Sequence, residues 1–216
     1  MSKSLIIFGT GGHAISVTNV ALSVGYSVIA YVSVEKEIKA IKGVPVISPE
    51  VCYEKYTDNN YFIAVGENSL REKIMNEVKL AVPRACFPSL KHQSTEVGLY
   101  CKIGEGTILM PKTNIGTTSN IGSFCIINSN VSIDHNSDIK DFASLAPGVV
   151  TGGDIQIGFR TAVSIGAIIK HGIKVGDDSV IGASSYVNKD IVSRVVAYGL
   201  PCKVIRTRKI EDKYLT

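Results

Sequence analysis

From Val97 to Val187 a branched aliphatic residue returns at every sixth position: Val97, Ile103, Leu109, Ile115, Ile121, Ile127, Ile133, Ile139, Leu145, then Ile157, Val163, Ile169, Val175, Ile181 and Val187, with Thr151 as the one exception. Four residues after each of the first fifteen stands a small or β-branched residue, among them Cys101, Thr107, Ser119, Cys125, Ser137, Ala143 and Ser179. Gly follows the aliphatic position directly at eight of the sixteen places, where a tight turn leaves little room for a Cβ. A period of six fits neither a helix nor plain alternation. It predicts a parallel β-helix in which each hexad gives one short strand and one turn, and three hexads close a coil of about 18 residues. The aliphatic residues point inward and the small residues fit the crowded inner corners. This stretch makes about five coils, stacked at roughly 4.8 Å.

The first 90 residues follow a different pattern. Ser4 to Phe8 is a buried-type strand, Gly9-Thr-Gly-Gly-His-Ala14 is a turn, and Ile15, Val20, Ala21 and Val24 lie at helical spacing before a second strand, Val28 to Val32. A strand, a Gly-rich turn, a helix and a strand open a Rossmann-like unit whose helix N-terminus can take a phosphate. The GxGxxA fragment is weakly specific, and the second strand ends in Ser33-Val34 rather than in the acidic residue that would hold an NAD ribose. After a lysine-rich loop containing Gly43-Val-Pro45, Tyr61 to Val65 reads as a further parallel strand. Gly66 to Arg71 leads into a helix ending near Lys79, and Val82 to Phe87 as a last strand. The expected organisation is an α/β Rossmann-like domain over 1–88 and a β-helix domain over 89–216, closed by a strand and a short helix around Tyr198 to Arg206.

Composition narrows the function classes. There is no apolar run of 18 residues, so no transmembrane helix is expected. No signal peptide is legible at the N-terminus, and the expected location is the cytoplasm. Five cysteines without a CxxC spacing read as reduced thiols and not as a metal site. A net charge of +4 without a basic tract argues against nucleic acid.

A Gly-x-Gly-Gly-His turn (His13), a Val-Gly-x-Asn-x-x-Arg segment (Val65 to Arg71), a hexapeptide β-helix with the pair Asp134-His135, and a closing Gly199-x-Pro-x-Lys-x-Ile-Arg206 together resemble the sialic acid O-acetyltransferase and bacillosamine-pathway acetyltransferase family. The resemblance covers the whole chain. It implies a left-handed β-helix, a homotrimer, and acetyl-CoA held in the groove between neighbouring β-helices. It also implies a nucleotide-activated sugar as the acceptor.

Acetyl transfer from a thioester needs a base for the nucleophile's proton and a donor for the oxyanion. An ordinary imidazole titrates at about 6.5 and can serve as that base near neutrality. The resemblance gives the role to His135, with Asp134 as its neighbour and Asn128, seven residues earlier, at a position near the active site. Where bacillosamine-type enzymes carry an acidic residue after the base, this chain has Asn136. Where they carry a second His nine residues on, it has Ser144, which is kept with the cofactor-side positions. The resemblance assigns Gly153, Ile165, Gly166 and Ala183 to the acetyl-CoA groove, and Lys203 and Arg206 to the coenzyme phosphates. Gly11, Gly12 and His13 match its sugar-nucleotide contact, and Gly66 and Asn68 a second strip, with Glu67 in place of an amide residue. Ser33 replaces its base-contacting acid.

The leading reading is therefore an acetyl-CoA-dependent N-acetyltransferase acting on a nucleotide-linked amino sugar for surface glycans. Sialic acid O-acetylation is the alternative within the enzymes. A γ-carbonic-anhydrase-type zinc enzyme would use His135 and His171, two coils and roughly 9.5 Å apart by strand spacing, but no third His lies in the repeat. A non-enzymatic nucleotide-sugar binder would lack thioester turnover.

Overall fold

A computed structural model describes residues 3–35 and 37–215. The N-terminal part is a five-stranded sheet in the order β3-β4-β2-β1-β5, built from β1 (Lys3–Phe8), β2 (Tyr26–Val32), β3 (Ala40–Ile41), β4 (Val44–Ile47) and β5 (Asn60–Ile63). β1 is parallel to β2 and β5, and β2 to β4. The continuous apolar run Leu5 to Phe8 is buried, as a central parallel strand covered on both faces requires. Helices α1 (Gly12–Ser23), α2 (Pro49–Lys55) and α3 (Asn68–Ala81) cover it.

Several expectations change here. Helix α1 buries Ala14, Val17, Val20 and Ala21, while Ile15 and Val24 lie largely outside. The lysine-rich loop contains the β3–β4 hairpin. Val82 to Phe87 forms no strand: a single bridge joins Cys86 to Asn60, and Pro83 and Pro88, which lack an N–H, interrupt any longer ladder.

The remainder is a left-handed parallel β-helix of two-residue strands running from Leu90–Lys91 to Tyr186–Val187. Strands 18 residues apart pair in parallel, as in Ile115 with Ile133 and Ile127 with Leu145. They form three faces, named here by their first aliphatic residue: the Val97 face, the Ile103 face and the Leu109 face. The sixth-position residues fill one continuous core.

The inner-corner residues are chosen for more than size. The buried hydroxyls of Thr107, Ser119 and Thr161 donate to the carbonyls of Gly122, Asp134 and Gly176, fifteen residues on, at 2.6 to 3.0 Å. The same oxygens accept from the backbone N–H groups of Cys125, Ser137 and Ser179, eighteen residues on. Each hydroxyl thus satisfies two backbone groups that the turn would otherwise bury unpaired. Thr151, the exception in the aliphatic series, is buried and accepts from the N–H of Asp134 at 3.3 Å.

The chain closes with an antiparallel hairpin, Val195–Gly199 with Cys202–Thr207; no helix follows among the described residues. Arg208 holds the tail, donating to the carbonyls of Asp178 and Asp212 at 2.9 and 2.7 Å.

The α/β part is locked onto the corner between the Ile103 and Leu109 faces. Arg71, on α3, is fully buried. It donates to the carbonyls of Val65 and Gly66 in its own domain and to those of Phe124 and Phe142 in the β-helix, at 2.8 to 3.0 Å. Its last contact is the Asn68 amide oxygen at 2.6 Å. Burial opposes the guanidinium charge, so these neutral acceptors are what make the position tolerable. Alongside runs a column of rings, Phe87, Phe124, Phe142 and Phe159, with successive centroids 5.1, 5.2 and 5.7 Å apart, within the range of favourable aromatic pairing.

Candidate active site

Two groups of the expected residues occupy two different corners of the triangular coil. The first lines a cleft of about 470 Å³ between the α/β part and the Leu109 face. His13, Gly66, Asn128, Ser144, Ile165 and Ala183 all border it. His13 follows Gly11 and Gly12, both open to solvent, at the start of α1, where no side chain caps the first N–H groups. Its Nε2 is buried without a partner. Burial first, and the Arg71 charge second, hold its imidazole down at about 4, so the ring is neutral at pH 7.

The C-terminal tail completes this cleft. The Tyr214 hydroxyl donates to the Gly66 carbonyl at 3.1 Å and accepts from the Asn68 N–H. Glu67 accepts from the N–H groups of Tyr214 and Leu215 at 3.1 and 2.9 Å. The sequence reading missed both tail residues, because no periodic pattern marks them.

Asn68 does not border this cleft. Its side chain is 1% exposed, donating to the Arg160 carbonyl at 3.0 Å and accepting from Arg71. It fastens the two parts together, and Gly66 remains as the member of that strip on the cleft. Ser33 lies elsewhere, in a cavity of about 390 Å³ at the carboxyl ends of β1 and β2 with Gly9, Glu35, Tyr53 and Lys73. Its hydroxyl accepts from the Glu35 N–H at 3.1 Å. Open α/β sheets bind ligands at this edge.

The second group stands on the corner between the Val97 and Ile103 faces. Asp134, His135 and Asn136 form one turn, with Asn136 in the left-handed region at φ 56°. The Asp134 carboxylate accepts from the His135 backbone N–H at 2.7 Å, so it fixes the turn and does not orient the ring. The Asn136 amide oxygen accepts from the Thr118 hydroxyl one coil below. The ring of His135 instead lies on Gly153, one coil above: a Cβ there would fall 2.6, 2.7 and 2.9 Å from its Cε1, Nε2 and Nδ1. Beyond Gly153 stands His171, its ring centroid 6.4 Å from that of His135, closer than strand spacing alone suggests because His135 leans upward. No group of three metal-ligating side chains is formed among the described residues.

The other cofactor-side residues are dispersed. Gly166 is on the corner after the Leu109 face, beside Ile165. Lys203 and Arg206 lie on the closing hairpin, where Arg206 donates to Asp212 at 3.0 Å. His135 is one triangle side from the cleft, up to roughly 20 Å for six extended residues. The base candidate and the cleft therefore do not meet within one chain.

A model of the PglD N-terminal domain matches residues 4–78. A perosamine N-acetyltransferase from Caulobacter crescentus, solved with CoA and GDP-perosamine, superposes with a TM-score of 0.89 at 28% identity, covering 94% of this chain and 97% of that one. The acetyltransferase domain of PglB from Neisseria gonorrhoeae, in complex with acetyl coenzyme A, shares the fold at 24% identity and a TM-score of 0.88, with coverage of 95% and 100%. The GDP-perosamine N-acetyltransferase of Escherichia coli O157:H7 is 25% identical over 137 residues, 62% of this chain and 61% of its own length. Other curated acetyltransferases match over shorter stretches, 30% and 53% of their own lengths for the galactoside enzyme of E. coli K12 and the chloramphenicol enzyme of Agrobacterium fabrum.

Proposed function

Because the chain belongs to the PglD-like family of hexapeptide-repeat acyltransferases, we propose that it transfers acetyl from acetyl-CoA to the amino group of a nucleotide-linked amino sugar for surface glycan synthesis. The observation that carries this reading is the cleft itself, where a nucleotide-binding type of domain, fixed by Arg71, shares one wall with the β-helix. Residues 1–88 act as the sugar-nucleotide domain and 89–216 as the acetyltransferase domain. The uncapped α1 N-terminus at Gly11 and Gly12 suits a diphosphate, and His13, neutral and unpartnered, offers it or the sugar a hydrogen bond. The Ser33 cavity suits the base. GDP-perosamine, the ligand of the Caulobacter relative, is the first acceptor to assay.

The working unit is a homotrimer. Val150 and Ile168 project from the outer surface of the Val97 face, 45% and 49% exposed, whereas the Ile103 face carries Lys102, Asn120, Asp138 and Lys174. If three prisms turn their Val97 faces to a common parallel axis, the His135 corner of one copy meets the cleft edge of the next. Acetyl-CoA would lie in that seam, against Ile165, Gly166 and Ala183, with Lys203 and Arg206 near its phosphates. Five free cysteines suit a reducing cytoplasm.

In this site His135 accepts the amine proton as the nitrogen attacks the thioester carbonyl, its turn fixed by Asp134 and, from the coil above, by Thr151, and its ring resting on Gly153. Asn128, from the neighbouring copy's cleft, hydrogen-bonds the acceptor sugar. His135→Ala should keep its fold and its acetyl-CoA affinity while turnover falls by about 10²- to 10⁴-fold, because the ring leaves no core cavity. Asn136→Ala, which loses only the contact to Thr118, should cost less. Wild-type turnover in His135→Ala, measured by thiol release, would remove the assignment.

A further inference from the structure

Asp134 and Asn136, the residues that flank His135, are both engaged with backbone or with another coil. What faces the ring lies above it. Gly152 and Gly153 leave one rung of the corner bare: a Cβ on Gly153 would strike His135, and one on Gly152 would lie 2.7 Å from the His171 backbone nitrogen. Across that bare rung stands His171, its ring centroid 6.4 Å from that of His135 and tilted by 53°. That separation is too long for a direct hydrogen bond between the rings and within reach of one bridging water. Asp154 approaches His171 from the intervening coil, its Oδ2 3.6 Å from the Nε2. Asp154 is the left-handed residue of the intervening turn, at φ 55°, and its backbone N–H donates to the His135 carbonyl at 2.9 Å. The three side chains thus occupy three successive coils of one corner, with Lys189 one coil further along the same column.

Resting on the acetyltransferase reading above, we propose that His171, steered by Asp154, is a positioning residue for that reaction: the second station of a proton relay that clears the base. As the C–N bond forms, the amine's proton passes to His135. The C–S bond breaks with its electron pair on sulfur, and the thiolate takes a proton from solvent. His135 hands its proton through the bridging water to His171, which releases it to solvent beside Asp154, and the base is neutral again. One proton leaves the amine and one reaches the thiolate, so the turnover balances without a further reactant.

The test compares His171→Ala, Asp154→Asn and His135→Ala in the intact protein with acetyl-CoA and the acceptor sugar nucleotide. The His171 side chain is 63% exposed in one copy and fills no core, so its removal should leave thermal stability near wild type. The expected result for His171→Ala is a kcat about tenfold lower that rises again with added imidazole, and a steeper dependence of kcat on buffer concentration. Asp154→Asn should give a smaller loss in kcat alone. Wild-type kcat and buffer dependence in His171→Ala, or a loss confined to KM, would overturn the relay even with His135→Ala inactive. Full turnover in His135→Ala would instead overturn the acetyltransferase site on which the relay rests.

Discussion

The imidazole of His135 rests on the bare Cα of Gly153, eighteen residues further along the chain, with no space for a methyl group between them. The orientation of this ring is therefore set by a side chain that is missing. Gly153→Ala should displace the ring by about the radius of a methyl group and lower kcat by about 10²-fold, while the circular dichroism and melting temperature stay near wild type. A Gly153→Ala enzyme with normal kcat would show that ring placement at this contact does not limit turnover.

If the site is shared between copies, two inactive variants should repair each other. His135→Ala damages one side of the seam and His13→Ala the other. Trimers assembled from an equal mixture should recover about a quarter of wild-type turnover, since each site needs one intact copy on either side. A mixture no more active than its components, with subunit exchange verified by mass spectrometry, would place both residues in one chain's site or dissolve the trimer.

His13 makes the fold sensitive to acid. Its imidazole is held at about 4 in the folded chain and titrates at about 6.5 when unfolded. Between those values the unfolded state binds more protons, so stability falls as pH drops from about 6.5 towards 4, by about 3 kcal/mol in full. His13→Gln should flatten that part of the curve of melting temperature against pH and leave the values above pH 7 nearly unchanged. Parallel curves for the two proteins would contradict the assignment.

Arg71→Ala strands five acceptors, at Val65, Gly66, Asn68, Phe124 and Phe142. The expected cost is about 3 to 5 kcal/mol. Hydrogen exchange should show the loss concentrated in α3 and the Phe124 corner, with the upper coils still protected. Arg71→Lys, which retains charge but not the fork of donors, should fall between. A uniform rise in exchange would mean that the two parts unfold as one.

The period of six made the wall of the β-helix legible because each coil repeats one local rule, and a rule obeyed fifteen times outvotes any single exception. The exception was itself informative: Thr151 departs from the aliphatic series at the position that steadies the turn of His135. What could not be read from the sequence depends on partners far along the chain. Asn68 and Arg71 look like part of a ligand strip until their contacts at Phe124, Phe142 and Arg160 are seen, 53 to 92 residues away. Tyr214 and Leu215 fall in a charged tail with no pattern, and their bonds to Gly66, Glu67 and Asn68 bring them to the cleft. The strand expected at Val82 to Phe87 failed because Pro83 within it and Pro88 just beyond cannot extend a ladder whose apolar composition otherwise suits one.

Phe124 and Phe142, the two corner residues whose carbonyls Arg71 grips, lie eleven residues before and seven after His135. They bracket a single storey of the prism. Rotation about an axis parallel to the prism moves a point sideways but never up or down, so in a trimer built that way the clamped domain of one copy faces the His135 of the next on the same floor. Coils added above Val187 would lengthen the tower without disturbing that alignment. One coil inserted between Phe124 and His135 would raise His135 by roughly 4.8 Å and leave it on a different level from the clamped domain.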